Sequence, residues 1–229
     1  MKEETSINVQ DMADVGMHLG HRTSKLNPKM EDFVVGIKNT VHVIDLEKTA
    51  EYLKKALDFV EEVSKNKQVL MLVGTKPPLK RLVKSTAEEM QAPYVTERWL
   101  GGTLTNFDII TKRAQYLKLL ESEKETGKLE KYTKKEQLKK EKELTDLSNK
   151  FGGIKNMSKT PDVVFICDII KDDLALKEAK AKGIKTIAII DTNGDPSLVD
   201  FPIPANDDAI SSVRYILDRL KDVFLKHKE

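Results

Sequence analysis

The chain predicts an α/β domain built on a parallel sheet and interrupted by an inserted antiparallel pair of charged helices. Three observations lead there. Apolar runs at 68–73, 163–167 and 185–190 have the length of buried strands and alternate with stretches of helical period. Turn chemistry punctuates them, with Pro77-Pro78 where a helix opens and Gly183 where one stops. Finally, Lys112 to Lys150 breaks the alternation with twelve Lys/Arg against eight Asp/Glu.

In chain order, Phe33-Val34-Val35-Gly36-Ile37 and Val41-His42-Val43-Ile44 form extended segments joined through Lys38-Asn39-Thr40 as a hairpin. Asp45 caps the following helix, whose apolar face is Leu46, Thr49, Ala50, Leu53, Leu57, Val60 and Val63. The strand at 68–73 ends at Gly74-Thr75-Lys76, and the next helix opens with the proline pair. In the charged segment, Thr105 and Thr133 each stand three residues before an acid (Asp108, Glu136), a helix-start signature. Gly127 and Tyr132 mark the break between its two helices. Ala114, Leu117, Leu120, Leu138, Leu144, Leu147 and Phe151 give these a stripe too sparse for a core of their own. The expected division is 1–104 with 152–229 as the sheet domain, and 105–151 as the inserted helical hairpin. A helix over 172–182 separates the later strands, and the last helix starts near Asn206-Asp207-Asp208.

Composition sets limits. The 229 residues, 39% hydrophobic and 33% charged, suffice for one large domain or two small ones. Basic residues outnumber acidic ones 39 to 37, so distribution and not net charge must indicate any nucleic-acid partner. The single cysteine, Cys167, excludes an internal disulfide and lies in an apolar run, where it reads as a small buried hydrophobe. The start Met1-Lys2-Glu3-Glu4 lacks the apolar core of a secretory signal, and no apolar run approaches the roughly 20 residues of a membrane span. The expectation is a cytoplasmic protein with no membrane partner.

Tests for catalytic motifs fail. There is no Gly-x-x-x-x-Gly-Lys-Ser/Thr loop, no Gly-x-Gly-x-x-Gly spacing around Gly101-Gly102, and no Gly-x-Ser-x-Gly elbow. Gly74-Thr75-Lys76 follows a strand and precedes a helix, a placement able to hold a phosphate oxygen. His18 and His21 are closely spaced, and with Asp191, Asp195, Asp207 and Asp208 from late loops they offer donors to zinc, or to magnesium through oxygens alone. The alternative for those acids is ordinary turn bonding.

Basic residues cluster by loop: Arg22, Lys25 and Lys29 around Asn27-Pro28, then Lys76, Lys80 and Arg81, then Arg98 beside Trp99, and Lys112 with Arg113. If the strands are parallel, several of these loops converge at one edge as a patch for phosphate oxygens, against the alternative of scattered solubilising charge. Arg98-Trp99-Leu100-Gly101-Gly102-Thr103-Leu104-Thr105-Asn106 adds an aromatic face beside a guanidinium and two glycines. It leads into the charged segment, so Trp99 is either a face for RNA or a wedge between helices and sheet.

The ordered motifs resemble a known family. Gly16-Met17-His18-Leu19-Gly20-His21-Arg22, Asn27-Pro28-Lys29-Met30 and Val41 to Thr49 are similar to the opening of the bacterial small-ribosomal-subunit protein two family. So are Arg98 to Asn106, Gly152-Gly153-Ile154-Lys155, Asp191-Thr192-Asn193 and Ile203-Pro204 with Asn206 to Ile210, in the same order along nearly the whole chain. The resemblance implies a flavodoxin-like doubly wound sheet with a coiled-coil hairpin. It further implies a structural constituent of the small ribosomal subunit, not an enzyme. Ribosomal RNA and neighbouring ribosomal proteins, ribosomal protein one among them, are the implied partners. The RNA-contacting set expected here is Arg22, Lys25, Asn27, Lys29, Lys76, Arg98, Trp99, Gly101, Gly102, Thr103, Asn106, Lys112 and Arg113. No cofactor is required, while a zinc or magnesium site carried over from some members falls on His21, Asp191 and Asp208, with Asp207 the nearest substitute. Pro77-Pro78 depart from the polar residues usual in the family after Thr75-Lys76. The rival class is a doubly wound enzyme holding a phosphorylated ligand at Gly74-Thr75-Lys76 with Asp191 and Asp208; a free coiled-coil adaptor is disfavoured by the thin apolar stripe.

Overall fold

The computed structural model describes residues 7–227. A short helix α1 (Val9–Asp14) leads into a three-stranded antiparallel sheet of β1 (Leu19–Arg22), β2 (Val34–Lys38) and β3 (Val41–Ile44), ordered β1-β3-β2. The β2–β3 connection is the expected hairpin, and its turn residues Asn39 and Thr40 both take positive φ, as a two-residue turn of the primed type requires. Sequence periodicity missed β1, because its four residues carry the histidine motif and not an apolar alternation. Asp45 then caps α2 (Leu46–Lys65) by accepting from the N–H groups of Glu47 and Lys48.

The main sheet contains β4 (Leu70–Val73), β5 (Tyr94–Val95), β6 (Val163–Ile166), β7 (Lys185–Ile190) and β8 (Phe201–Pro204), all parallel, in the order β5-β4-β6-β7-β8. Counted among themselves along the chain, these strands run second-first-third-fourth-fifth, consistent with a flavodoxin-like fold. The helices are α3 (Lys80–Glu89), α4 (Phe107–Glu125), α5 (Lys134–Phe151), α6 (Asp173–Ala181) and α7 (Ile210–Leu225). Both faces of the sheet are buried, which explains why its strands read as continuous apolar runs. Leu70, Leu72, Val163, Phe165, Ile187 and Ile189 join one core with α2, α3 and α7. Met71, Val73, Val164, Ile166, Ala188 and Ile190 join the other with α6, Trp99 and the first turns of α4. The sequence pattern missed β8, since Pro202 and Pro204 depress strand propensity; on an edge strand the missing N–H groups cost nothing and discourage further pairing.

Between α4 and α5, Lys140 pairs with Glu123 at 3.3 Å and Lys124 with Glu141 at 3.8 Å. Thr133 and Glu136 make the expected capping box of α5. Thr105 does not cap α4, which begins at Phe107 behind an Asn106 that makes no capping bond. Leu138, expected in the apolar stripe, is 68% exposed and takes no part in the core. Among the described residues no helix is long and apolar enough to cross a membrane.

The turn after α5 sits against β5. A Cβ on Gly153 would fall 2.2 Å from the Tyr94 carbonyl oxygen, a backbone atom that cannot swing aside. Gly153→Ala is therefore expected to cost about 2–3 kcal/mol. The check is a lower urea midpoint at unchanged m-value; an unchanged midpoint would show that this turn yields freely.

Candidate functional site at the carboxyl edge of the sheet

Parallel strands bring their carboxyl-end loops to one edge, where doubly wound proteins keep ligands. Here β4 gives way at once to Gly74, where an added Cβ would come 2.8 Å from Val83 and 3.1 Å from the Cys167 sulfur. The close approach aims the next two residues at the loop after β6. Thr75 gives its N–H and its hydroxyl to the Asp172 carboxylate, at 3.2 and 2.7 Å. Lys76 extends across the edge, and its Nζ lies 2.8 Å from oxygens of Asp168, Asp207 and Asp208 alike. Burial favours the neutral amine, but hydrogen bonds to those three carboxylates outweigh it and hold Lys76 above its ordinary value. Burial, then the Asp168 charge, pushes the Asp207 carboxyl up to about 7 against the pull of Lys76.

This corrects the reading of Lys76. Its ammonium, expected to meet RNA phosphate or a phosphorylated ligand, is 18% exposed and committed to three acids. The helix after it starts at Lys80, beyond a turn containing Pro77 and Pro78, so no helix N-terminus opens on Gly74. Cys167 is fully buried, as its apolar setting predicts, and burial raises its thiol far above the ordinary range.

His21 enters the same edge from β1. An added Cβ on the preceding Gly20 would come 2.5 Å from the Thr192 methyl, so the strand lies directly on the loop after β7. The Thr192 hydroxyl accepts the His21 N–H at 2.9 Å and its carbonyl accepts the Asn27 N–H at 2.8 Å. That clasp places His21 Nδ1 3.1 Å from Asp191 Oδ2 and Nε2 3.5 Å from Asp208 Oδ2. The Asp191 interaction outweighs burial and holds the imidazole above its ordinary value, with Asp207 and Asp208 adding to it. Asp191 Oδ2 is buried, and despite the short distance the ring nitrogen is not aligned to donate to it.

An orphaned carboxylate oxygen beside an imidazole suits a small cation. His21, Asp191 and Asp207 each offer a ligand atom, all within 4.8 Å of one another. Asp207, the substitute in the expected set, thus shares this cluster, and Asp208 stands at the other ring nitrogen. A mixed nitrogen and oxygen set fits zinc better than magnesium. A bound ion would supply charge neutralisation and a crosslink between β1 and the late loops.

The Arg98–Asn106 segment is organised by a residue that the sequence reading passed over. Trp99 is 5% exposed in the second core, with its Nε1 donating to Glu178 Oε1 at 3.1 Å. The same carboxylate accepts the N–H groups of Gly102, Leu104 and Thr105 at 2.7, 2.9 and 3.1 Å, and the Thr105 hydroxyl at 3.2 Å. Of the two expected roles for Trp99, the wedge is the one the ring fills, because packing covers the face a base would need. Thr103 is also buried, its hydroxyl donating to the Leu100 carbonyl. Gly102 takes φ of +91°, as a glycine should at this bend.

The remaining candidates lie outside. Arg22, Lys25, Arg98, Gly101, Asn106, Lys112 and Arg113 are exposed. No ion pair engages Arg22, Lys25, Arg98, Lys112 or Arg113 among the described residues. Lys29 is exposed but donates to Asp195 and Ser197, at 2.7 Å each, while Asn27 caps the turn that begins at Pro28. The edge is thus an acidic interior closed by Lys76 and His21. Asp168 and Asp172 escaped the sequence reading, although their position just past a buried strand marks them. Glu178 carried no signal, since a glutamate in a charged helix looks solvated.

The family description "Ribosomal protein S2" matches residues 12–226. Curated relatives named "Small ribosomal subunit protein uS2" are similar throughout. One from a Nitratiruptor species is 39% identical over 223 residues, 97% of this chain and 84% of its own. One from Helicobacter hepaticus is 38% identical over 220 residues, 96% of this chain and 83% of its own. One from Helicobacter acinonychis is 39% identical, covering 97% and 91%. With the match running from α1 to the end of α7, the chain belongs to the ribosomal protein S2 family.

Proposed function

We propose that this protein is a structural constituent of the small ribosomal subunit, working in the cytoplasm, where it binds ribosomal RNA and neighbouring ribosomal proteins without catalysing a reaction. The observation that carries the reading is the family match across 12–226. The site geometry agrees, because the edge at which a doubly wound enzyme would hold a ligand is filled by Lys76 and its three carboxylates. A charge network that closes on itself leaves recognition to the exposed basic side chains.

The RNA-contacting set is then Arg22, Lys25, Asn27 and Lys29 on one side and Arg98, Gly101, Gly102, Asn106, Lys112 and Arg113 at the root of α4. Phosphate contacts of this kind position a protein without sequence readout. Residues 105–151 act as an inserted antiparallel coiled-coil arm that docks neighbouring proteins, ribosomal protein one among them. The ion pairs between α4 and α5 support this arm.

A tagged copy is expected to sediment with small subunits from lysate and to leave them as salt rises, since displaced counterions drive phosphate binding. Arg22→Glu combined with Arg98→Glu is expected to lower occupancy in salt-washed subunits at least roughly ten-fold at unchanged melting temperature, as two contacts become repulsions. Unchanged occupancy would remove these loops as anchors, and sedimentation apart from subunits at low salt would overturn the function itself.

A further inference from the structure

We infer that Glu178 is a positioning residue, which holds the Arg98–Asn106 segment and the first turn of α4 in the geometry that contacts RNA. This rests on the proposed reading of that segment as an RNA anchor.

Helix α4 starts without a capping side chain of its own. The N–H groups just ahead of it must be satisfied from elsewhere or remain unpaired. Local bonds account for some: the Thr103 N–H reaches the Leu100 carbonyl at 3.1 Å and the Asn106 N–H the Gly102 carbonyl at 2.8 Å. Those of Gly102, Leu104 and Thr105 turn instead to Glu178, along with the Trp99 indole. One carboxylate thus ties both ends of the Trp99–Thr105 stretch, with Oε1 on Trp99 and Gly102 and Oε2 on Leu104 and Thr105.

Glu178 is fixed on its own side. It lies on α6 next to Ala179 and three residues after Ala175, both fully buried in the second core. A negative charge ahead of α4 also suits the positive end of that helix dipole. Burial works to protonate the carboxyl, but the backbone donors outweigh it and keep the group below its ordinary value, so the anion persists at neutral pH. The basic residues on either side, Arg98 and Lys112, extend from the segment so held.

Glu178→Gln tests the inference, because it keeps size while replacing one acceptor oxygen by an NH2 group that faces two N–H donors. Hydrogen exchange of the free full-length variant should show protection of the Gly102, Leu104 and Thr105 amides falling roughly ten- to hundred-fold, while amides of β4, β6 and β7 keep theirs. Occupancy in salt-washed small subunits should fall alongside. Glu178→Asp, which restores the charge on a shorter stem, should recover part of both. Unchanged protection at 102–105 in Glu178→Gln would overturn the inference. So would lost protection with full occupancy, and Arg98→Glu then separates the causes. If Arg98→Glu alone still lowers occupancy, the positioning role fails; if it too leaves occupancy intact, the reading of the segment as an anchor fails.

Discussion

Lys76→Met is expected to destabilise the fold by about 3–5 kcal/mol near pH 8, because it leaves buried carboxylates without their shared cation. Asp168 and Asp207 have side chains less than a tenth exposed, and each now faces the Lys76 ammonium at 2.8 Å. Methionine fills similar volume, so the loss is electrostatic and not a cavity. The effect should depend on pH with a defined sign. Asp207 already has a folded-state value of about 7, well above an ordinary carboxyl. A raised acid contributes stability that is full below its unfolded value, near 4, and is lost as pH rises through about 7. Without Lys76 that rise grows, so the gap between variant and parent should be widest at pH 8 and narrow by pH 6. Urea denaturation at the two pH values measures it. A constant gap would mean that other groups absorb the missing charge. Asp207→Asn in the Lys76→Met background should recover part of the loss at pH 8, since it removes one uncompensated anion.

Trp99→Ala is expected to cost about 3–5 kcal/mol through the cavity it leaves between the sheet and the root of α4. The indole packs in the same core as Val73, Val95, Leu104 and Ile110, all buried. It also supplies one donor to Glu178, so Trp99→Phe should lose about 1–2 kcal/mol through the missing N–H and the smaller ring. Thermal unfolding separates the two variants. Near-equal melting temperatures for Trp99→Ala and the parent would refute the wedge role. Trp99→Phe should also retain most of its occupancy in small subunits, since the face of the ring is turned to the core and not to a base.

Much of the fold could be read from local pattern. The strands β4, β6 and β7 are buried on both faces, so their apolar runs stand out, and Asp45, Thr133, Gly127 and Gly183 punctuate the helices where chain geometry demands it. What escaped is what tertiary contact overrides. The edge strand β8 contains two prolines, β5 has two residues, and β1 is set by its clasp on Thr192. Thr105 bears a cap signature but turns its hydroxyl to Glu178, because a buried charged acceptor outcompetes a local bond.

The candidate site divides along the same line. Sequence offered His21, Asp191, Asp207 and Asp208 as possible donors, and the family resemblance joined His21 to Asp191 and Asp208; folding brings His21, on β1, to Asp191 and Asp207. Sequence motifs also marked Arg98 to Asn106 as a segment with a purpose, and family membership follows from motif order along the chain. The direction in which each side chain points was decided by packing. Lys76, in a loop that looked open to phosphate, turns inward because three acids from distant loops meet there. Trp99, which looked like a surface for stacking, turns inward because Glu178 waits 79 positions further along the chain. Sequence determines which groups are available and in what order; partners brought together by long-range folding decide which charges are cancelled and which face outward.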